Sequence, residues 1–225
     1  MTRRLRIKWA PGEAVDARLV VPLHPNGVGV LLAHGAGAGQ HHPFMEHLRR
    51  GLSDAGYPTM TFDYSYMSAG RRAPDRMPKL LAVHRAAAER LATYVAEVVV
   101  AGKSMGGRVG SHLAGDDGWP AAGLVYYGYP LVPLGKTEAR PVDHLQRITV
   151  PQLFFAGSRD RLSPLPALRP IVTSLQAAAL HEIDGADHSF KVPKRMKRAH
   201  DEVLDELVAT TVSWLARNGP INPEG

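Results

Sequence analysis

Gly102-Lys103-Ser104-Met105-Gly106 joins the apolar run Glu97 to Ala101 to a helical pattern over residues 105–114. A serine on a sharp strand-to-helix turn sits in a strained backbone conformation with its hydroxyl above the sheet. Small residues two before and two after it let neighbouring backbone pass close by. The helix that starts there offers unpaired N–H groups and the positive end of its dipole to a developing oxyanion. The same residues would also make a plain glycine-rich turn with Ser104 as a helix cap. The strand before them favours the nucleophile. Gly-Lys-Ser is not the end of a phosphate-binding loop here, because Val98 stands where that motif needs glycine.

A serine hydroxyl becomes a nucleophile only when a base takes its proton. Among eleven histidines, His188 in Gly185-Ala186-Asp187-His188-Ser189-Phe190 lies just past the last expected strand. A neutral imidazole with a pKa near ~6.5 can accept and return a proton at neutral pH. The imidazole needs an orienting acid, and Asp160 follows the strand QLFFA in Gly157-Ser158-Arg159-Asp160. Asp184 and Asp187 are its rivals. Asp187 adjoins His188, and neighbours rarely face each other; Asp184 is placed to shape the turn. A salt bridge to Arg159 is the plainer use of Asp160. Two N–H donors must meet the oxyanion. Met105 supplies one, and Ala36, in His34-Gly35-Ala36-Gly37, is the best choice for the other. Gly35, Gly37 and Gly39 do not fit the dinucleotide-binding fingerprint. His34 is expected to hold the shape of this loop, and His41 and His42 to stand at a solvated helix start.

These residues need a frame. Residues 3–9 alternate as an edge strand might, and further strands are expected at Ala17–Leu23, Val28–Ala33, Tyr57–Phe62, Glu97–Ala101, Leu124–Tyr127, Gln152–Ala156 and Ala179–Ile183. Helical spacing covers residues 42–55, Leu80–Val95, 105–114, 166–176 and His200–Arg217. Asp63–Pro78 and Pro130–Pro141 read as irregular loops, too short for a large helical cap. Short apolar strands alternating with helices indicate one α/β domain over 1–225, with a mostly parallel sheet between two helical layers. In such sheets ligands bind beyond the carboxyl ends of the strands, which is where Ser104, Asp160, His188 and the Ala36 loop all fall.

A hydrophobic fraction of 44% is ordinary for a globular chain and argues against global disorder. The absence of cysteine excludes disulfides, thiolate nucleophiles and cysteine-bound metals. No metal or other cofactor is expected. No stretch approaches the roughly 18 consecutive apolar residues of a membrane span, and Met1-Thr2-Arg3-Arg4-Leu5-Arg6 leads into no apolar signal core. A cytoplasmic protein is expected. The net charge of +6 biases contacts toward anions. The basic run Lys191–His200 lacks interleaved aromatics, so it reads as a helix-flanking patch and not as a nucleic-acid site. The expected partner is a small acyl substrate rather than a membrane or nucleic acid, with a homodimer left open.

The chain order Ser104, Asp160, His188 resembles that of the α/β-hydrolase fold. LLAHGAGAG, VVVAGKSMGGR, LVYYGYPL, LFFAGSRD and DHSF more narrowly resemble the testis-expressed protein 30 group and its bacterial relatives, overlapping with dienelactone-hydrolase-like proteins. The resemblance implies a single-domain α/β-hydrolase fold without a large cap. It assigns the nucleophile to Ser104, the acid to Asp160, the histidine to His188 and the oxyanion donors to Ala36 and Met105. Dienelactone hydrolases carry a cysteine nucleophile, so that activity does not transfer to a chain with none. The group also includes a subunit of a histone acetyltransferase complex, so a catalytically silent scaffold that binds a protein partner stands as the alternative to a serine hydrolase of esterase type. Tyr64, Tyr66, Tyr129 and Lys103 are candidates to line the substrate site. Arg71, Arg72 and Lys103 are its candidate anion-attracting groups, unless they form a solvated rim.

Overall fold

Residues along a strand point alternately to opposite faces, and the central strands of this protein are buried on both. The computed structural model describes residues 1–218; the remaining residues of the expected 1–225 domain lie outside the described residues. The chain runs β1 (Thr2–Ala10), β2 (Glu13–Val20), β3 (Val28–Ala33), α1 (Pro43–Asp54), β4 (Thr59–Phe62), the short α2 (Ser65–Ser68), α3 (Met77–Ala92), β5 (Glu97–Lys103), α4 (Met105–Gly115), β6 (Gly123–Tyr127), the short α5 (Asp143–Gln146), β7 (Gln152–Gly157), α6 (Leu165–Ser174), β8 (Ala178–Ile183), a 3₁₀ turn (Lys194–Met196) and α7 (His200–Asn218). One sheet holds the strands in the order β1-β2-β4-β3-β5-β6-β7-β8. Strands β4, β3, β5, β6, β7 and β8 pair in parallel. The β1–β2 hairpin joins antiparallel through β2 and β4. Over the described residues this is a single-domain α/β-hydrolase fold with a mostly parallel sheet and no large cap.

Two cores follow from the strand alternation. Leu31 and Ala33 of β3 share a core with Val83 of α3, Val109 of α4 and Leu168 of α6. Their neighbours Val30 and Leu32 share the opposite core with Leu48 of α1 and Leu207 of α7. Burial on both faces explains why β3 reads as an unbroken apolar run. Among the described residues, no helix is long and apolar enough to cross a membrane.

Some boundaries differ from expectation. The strand expected over Ala17–Leu23 is β2, which starts at Glu13 because the hairpin provides pairing partners as far as Glu13 with Ala10. It ends at Val20, before Pro22, which has no N–H to offer a ladder. The segment Asp63–Pro78 contains α2, and α3 starts at Met77 with Pro78 in its first turn, where a missing N–H is tolerated. Residues 130–141 contain no helix or strand, but α5 follows directly.

Candidate active site

Ser104 alone forms the turn between β5 and α4. Its backbone is at φ 50° and ψ −115°, a region that side-chain-bearing residues adopt at a cost of about 1–3 kcal/mol. The surrounding backbone leaves little alternative. A Cβ on Gly106 would lie 2.5 Å from the Ala33 carbonyl oxygen and 2.7 Å from that of His34, and a Cβ on Gly102 would collide with the Gly106–Gly107 backbone. Two glycines thus let β5, the end of β3 and the start of α4 cross in contact. The Ser104 N–H donates to the Tyr127 carbonyl at 3.1 Å, tying the turn to the end of β6.

Three strand ends bring polar side chains to this turn. Ser104 Oγ is 2.8 Å from His188 Nε2, and His188 Nδ1 is 2.7 Å from Asp160 Oδ2. The Asp160 side chain is fully buried, while that of His188 is 25% exposed. Asp160 Oδ1 accepts the N–H groups of Leu162 at 2.8 Å and Ser163 at 3.1 Å. An ionised Asp160 only accepts hydrogen bonds, so His188 Nδ1 must carry the proton. Nε2 is then left to accept from the Ser104 hydroxyl. Asp160, not Asp184 or Asp187, meets His188. Asp184 accepts from the Ser158 hydroxyl, and Asp187 Oδ1 accepts the N–H groups of Ser189 and Lys191.

Lys103 lines the cavity, but its ammonium is engaged. Nζ donates to the His188 carbonyl at 2.7 Å and lies over the Phe190 ring, 5.4 Å from its centroid. Burial pulls its pKa from 10.5 down to about 8, against the opposing pull of Asp160 and Asp187. Phe190 itself has φ 60° and stacks on Phe44 of α1. The loop carrying His188 is thereby fastened from two sides. His34 does the same for the loop after β3. Its Nε2 accepts the Tyr64 N–H at 3.1 Å, so its Nδ1 carries the proton it shares with the Gly35 carbonyl at 2.7 Å. Burial lowers the His34 pKa and keeps the ring neutral, in spite of Gly35 and Asp63.

A cavity of ≈ 670 Å³ opens at these residues, bounded by Ala36, Met105, Ser104 and His188 and by apolar groups such as Leu80 and Val132. Ala36 is exposed and, with Met105, lines this cavity. Among the described residues, no group of three or more His, Asp or Glu side chains could hold a metal ion.

The tyrosines expected to line the site do not do so. Tyr64, Tyr66 and Tyr129 are buried in the core. The Tyr64 hydroxyl bonds His84 Nδ1, the Tyr129 hydroxyl bonds His144 Nε2 and Ser111 Oγ, and the Tyr66 ring stacks on Tyr64. For Tyr64 and Tyr129, internal partners for the hydroxyls favour the core over a rim; the Tyr66 hydroxyl is buried without such a partner, and its ring packing is what places it there. Arg71 pairs with Asp75, Arg72 is exposed, and neither reaches the cavity wall. Sequence reasoning gave no place on that wall to Arg108 or Arg140, and it put Lys191, which also lines the cavity, in a helix-flanking patch. Arg108 was findable, since four residues after Ser104 is one helical turn on. Arg140 carries no such signal, because loop closure alone brings it in.

Comparison with known proteins agrees with this architecture. The family model described as alpha/beta hydrolase domain matches residues 26–216. A dienelactone hydrolase from Anabaena variabilis is similar at 20% identity, covering 98% of this chain and 99% of its own, with a TM-score of 0.77. Est1E from Butyrivibrio proteoclasticus, solved with ferulic acid, is 18% identical over 95% of this chain and 98% of its own, with a TM-score of 0.77. A serine hydrolase without a lid from Xanthomonas campestris is 17% identical over 99% of this chain and 97% of its own, with a TM-score of 0.75. The chain belongs to the alpha/beta hydrolase domain family.

Two outcomes are expected from this geometry. Gly106→Ala should lower stability by about 3 kcal/mol or more, because backbone and not a flexible side chain blocks the methyl group; an unchanged urea midpoint would contradict the close crossing. For Lys103, the unfolded chain keeps a proton between about pH 8 and pH 10.5 that the folded protein has lost. Stability therefore rises with pH across that window. Relative to Lys103→Met, wild-type protein should gain on the order of 1 kcal/mol or more over it, read from urea midpoints at both ends. A difference independent of pH would contradict burial of the ammonium.

Proposed function

We propose that this member of the family is a serine hydrolase that cleaves a small ester or related acyl substrate through an acyl-enzyme intermediate. The observation behind this reading is the unbroken run of hydrogen bonds from Ser104 through His188 to Asp160, with Ser104 at the wall of a cavity. A structural cap would need neither the histidine nor the buried carboxylate.

In this reading Ser104 Oγ attacks the acyl carbon while His188 Nε2 takes its proton. Asp160 holds the ring in the tautomer that leaves Nε2 free and stabilises the imidazolium that forms. The N–H groups of Ala36 and Met105 receive the oxyanion, which exists only while the carbon is tetrahedral, so their effect falls on the transition state. His188 then gives the proton to the leaving group. Water repeats the sequence, with its proton passing to His188, and releases the acid and free Ser104. Lys103 takes no proton in this scheme; it is a positioning residue for the His188 loop.

The cavity lies within the size range of small-molecule sites. With the lining tyrosines removed, its recognition surface is mainly aliphatic. The elbow GKSMGGR supports placing the chain with the testis-expressed protein 30 group inside the larger family. Cysteine-dependent dienelactone chemistry is not part of the proposal.

A series of p-nitrophenyl esters from acetyl to dodecanoyl tests the proposal. Short acyl chains should be turned over faster than dodecanoyl, and Ser104→Ala should lower kcat by about 10³-fold or more. Equal rates in wild type and Ser104→Ala would contradict it. Asp160→Asn should lower kcat by roughly 10²–10⁴-fold while the protein stays folded by circular dichroism. Unchanged turnover would remove Asp160 from the mechanism.

A further inference from the structure

Arg108 and Arg140 line the same cavity as Ser104. Each has an Nε–H buried from solvent with no hydrogen-bond partner. Among the described residues, neither guanidinium makes a hydrogen bond or an ion pair to any protein group. Asp116 pairs with Arg147 and His112, and Asp75, the one carboxylate among the described residues lining the cavity, pairs through Oδ1 with Arg71 while its buried Oδ2 has no partner and does not bond either arginine. The two cations also sense each other. Burial is the main cause that lowers the Arg108 pKa; Tyr129 opposes it, and the charge of Arg140 adds to it.

This arrangement is costly without a ligand. Both side chains are only partly buried, but an Nε–H shielded from solvent without an acceptor carries its own desolvation cost, and the charge of the second cation adds repulsion. Both residues are also held firmly in place. The Arg108 N–H donates to the Ser104 carbonyl at 3.1 Å, which sets it one turn along α4 from the nucleophile. The Arg140 N–H donates to the Leu131 carbonyl at 2.8 Å, closing the loop between β6 and α5 over the cavity. Planar guanidinium forks match a carboxylate in geometry and charge.

We infer that Arg108 and Arg140 form an anion subsite that binds a carboxylate on the substrate, so that this cavity selects acyl substrates carrying a carboxylate a few bonds from the scissile ester. The inference rests on Ser104 being the nucleophile, but the subsite can be tested without it.

Two ester pairs separate the side of the ester on which the carboxylate sits. p-Nitrophenyl hydrogen adipate against p-nitrophenyl hexanoate places it on the acyl side. 4-Acetoxybenzoate against 4-methylphenyl acetate places it on the leaving alcohol. In at least one pair, kcat/KM for the anionic ester should exceed that of the neutral one by about tenfold or more. Arg108→Gln and Arg140→Gln, singly and together, should lower that ratio by a similar factor. No preference in either pair, or a preference that survives both substitutions, overturns the subsite. If no ester is turned over, the hydrolase reading fails and calorimetry on Ser104→Ala decides the subsite. Binding of free adipate, weakened at least tenfold by adding Arg108→Gln, upholds it; absence of binding overturns it.

Discussion

The contact crossing of β3, β5 and α4 is the constraint on which the rest of the site depends. Gly102 and Gly106 admit it, and the carbonyls of Ala33 and His34 bound it on the other side. Within that space the chain can turn from strand to helix in one residue only if that residue accepts a positive φ. Ser104 does so although it is not glycine. The turn is held in place by the close backbone crossing and by the Ser104 N–H on the Tyr127 carbonyl. Its consequence is a hydroxyl that stands clear of the sheet at the first turn of a helix, beside the loop that follows β3.

The second requirement is electrostatic. Asp160 is buried, but two backbone N–H groups and His188 satisfy its oxygens. A carboxylate so held has one orientation, and that fixes the proton on His188 Nδ1. Two further devices keep the loops in register: the Lys103 ammonium on the His188 carbonyl, and neutral His34 between Gly35 and Tyr64. Neither needs to touch a substrate to matter. Both fix the loops beside Ser104, which under the proposed mechanism would leave little reorganisation for the reacting state.

Strand-end position made much of this legible in the sequence. Buried strands such as β3 betray themselves by apolar runs, and Ser104 and Asp160 follow such runs while His188 follows the mixed, partly exposed β8; a parallel sheet brings all three to one edge. Burial was harder to read. Tyr64, Tyr66 and Tyr129 follow strands too, yet tyrosine suits a rim and a core equally well until partners such as His84 and His144 are known, and those lie far away in the sequence. Lys103 has the same ambiguity: next to Ser104 it looks available for substrate, whereas the His188 carbonyl claims it. Arg140 was hidden because its place depends on how an irregular loop closes. The hairpin set the start of β2 through pairing with β1, which local composition does not encode.

Hydrolase activity at this site requires that Ser104 be activated and not merely exposed. The most direct measurement is intact-protein and peptide mass spectrometry after exposure to a fluorophosphonate. One adduct on the peptide containing Ser104 is expected, with labelling lost in His188→Ala although Ser104 is still present. Folded wild-type protein that stays unmodified, or that is modified equally well without His188, would contradict the account.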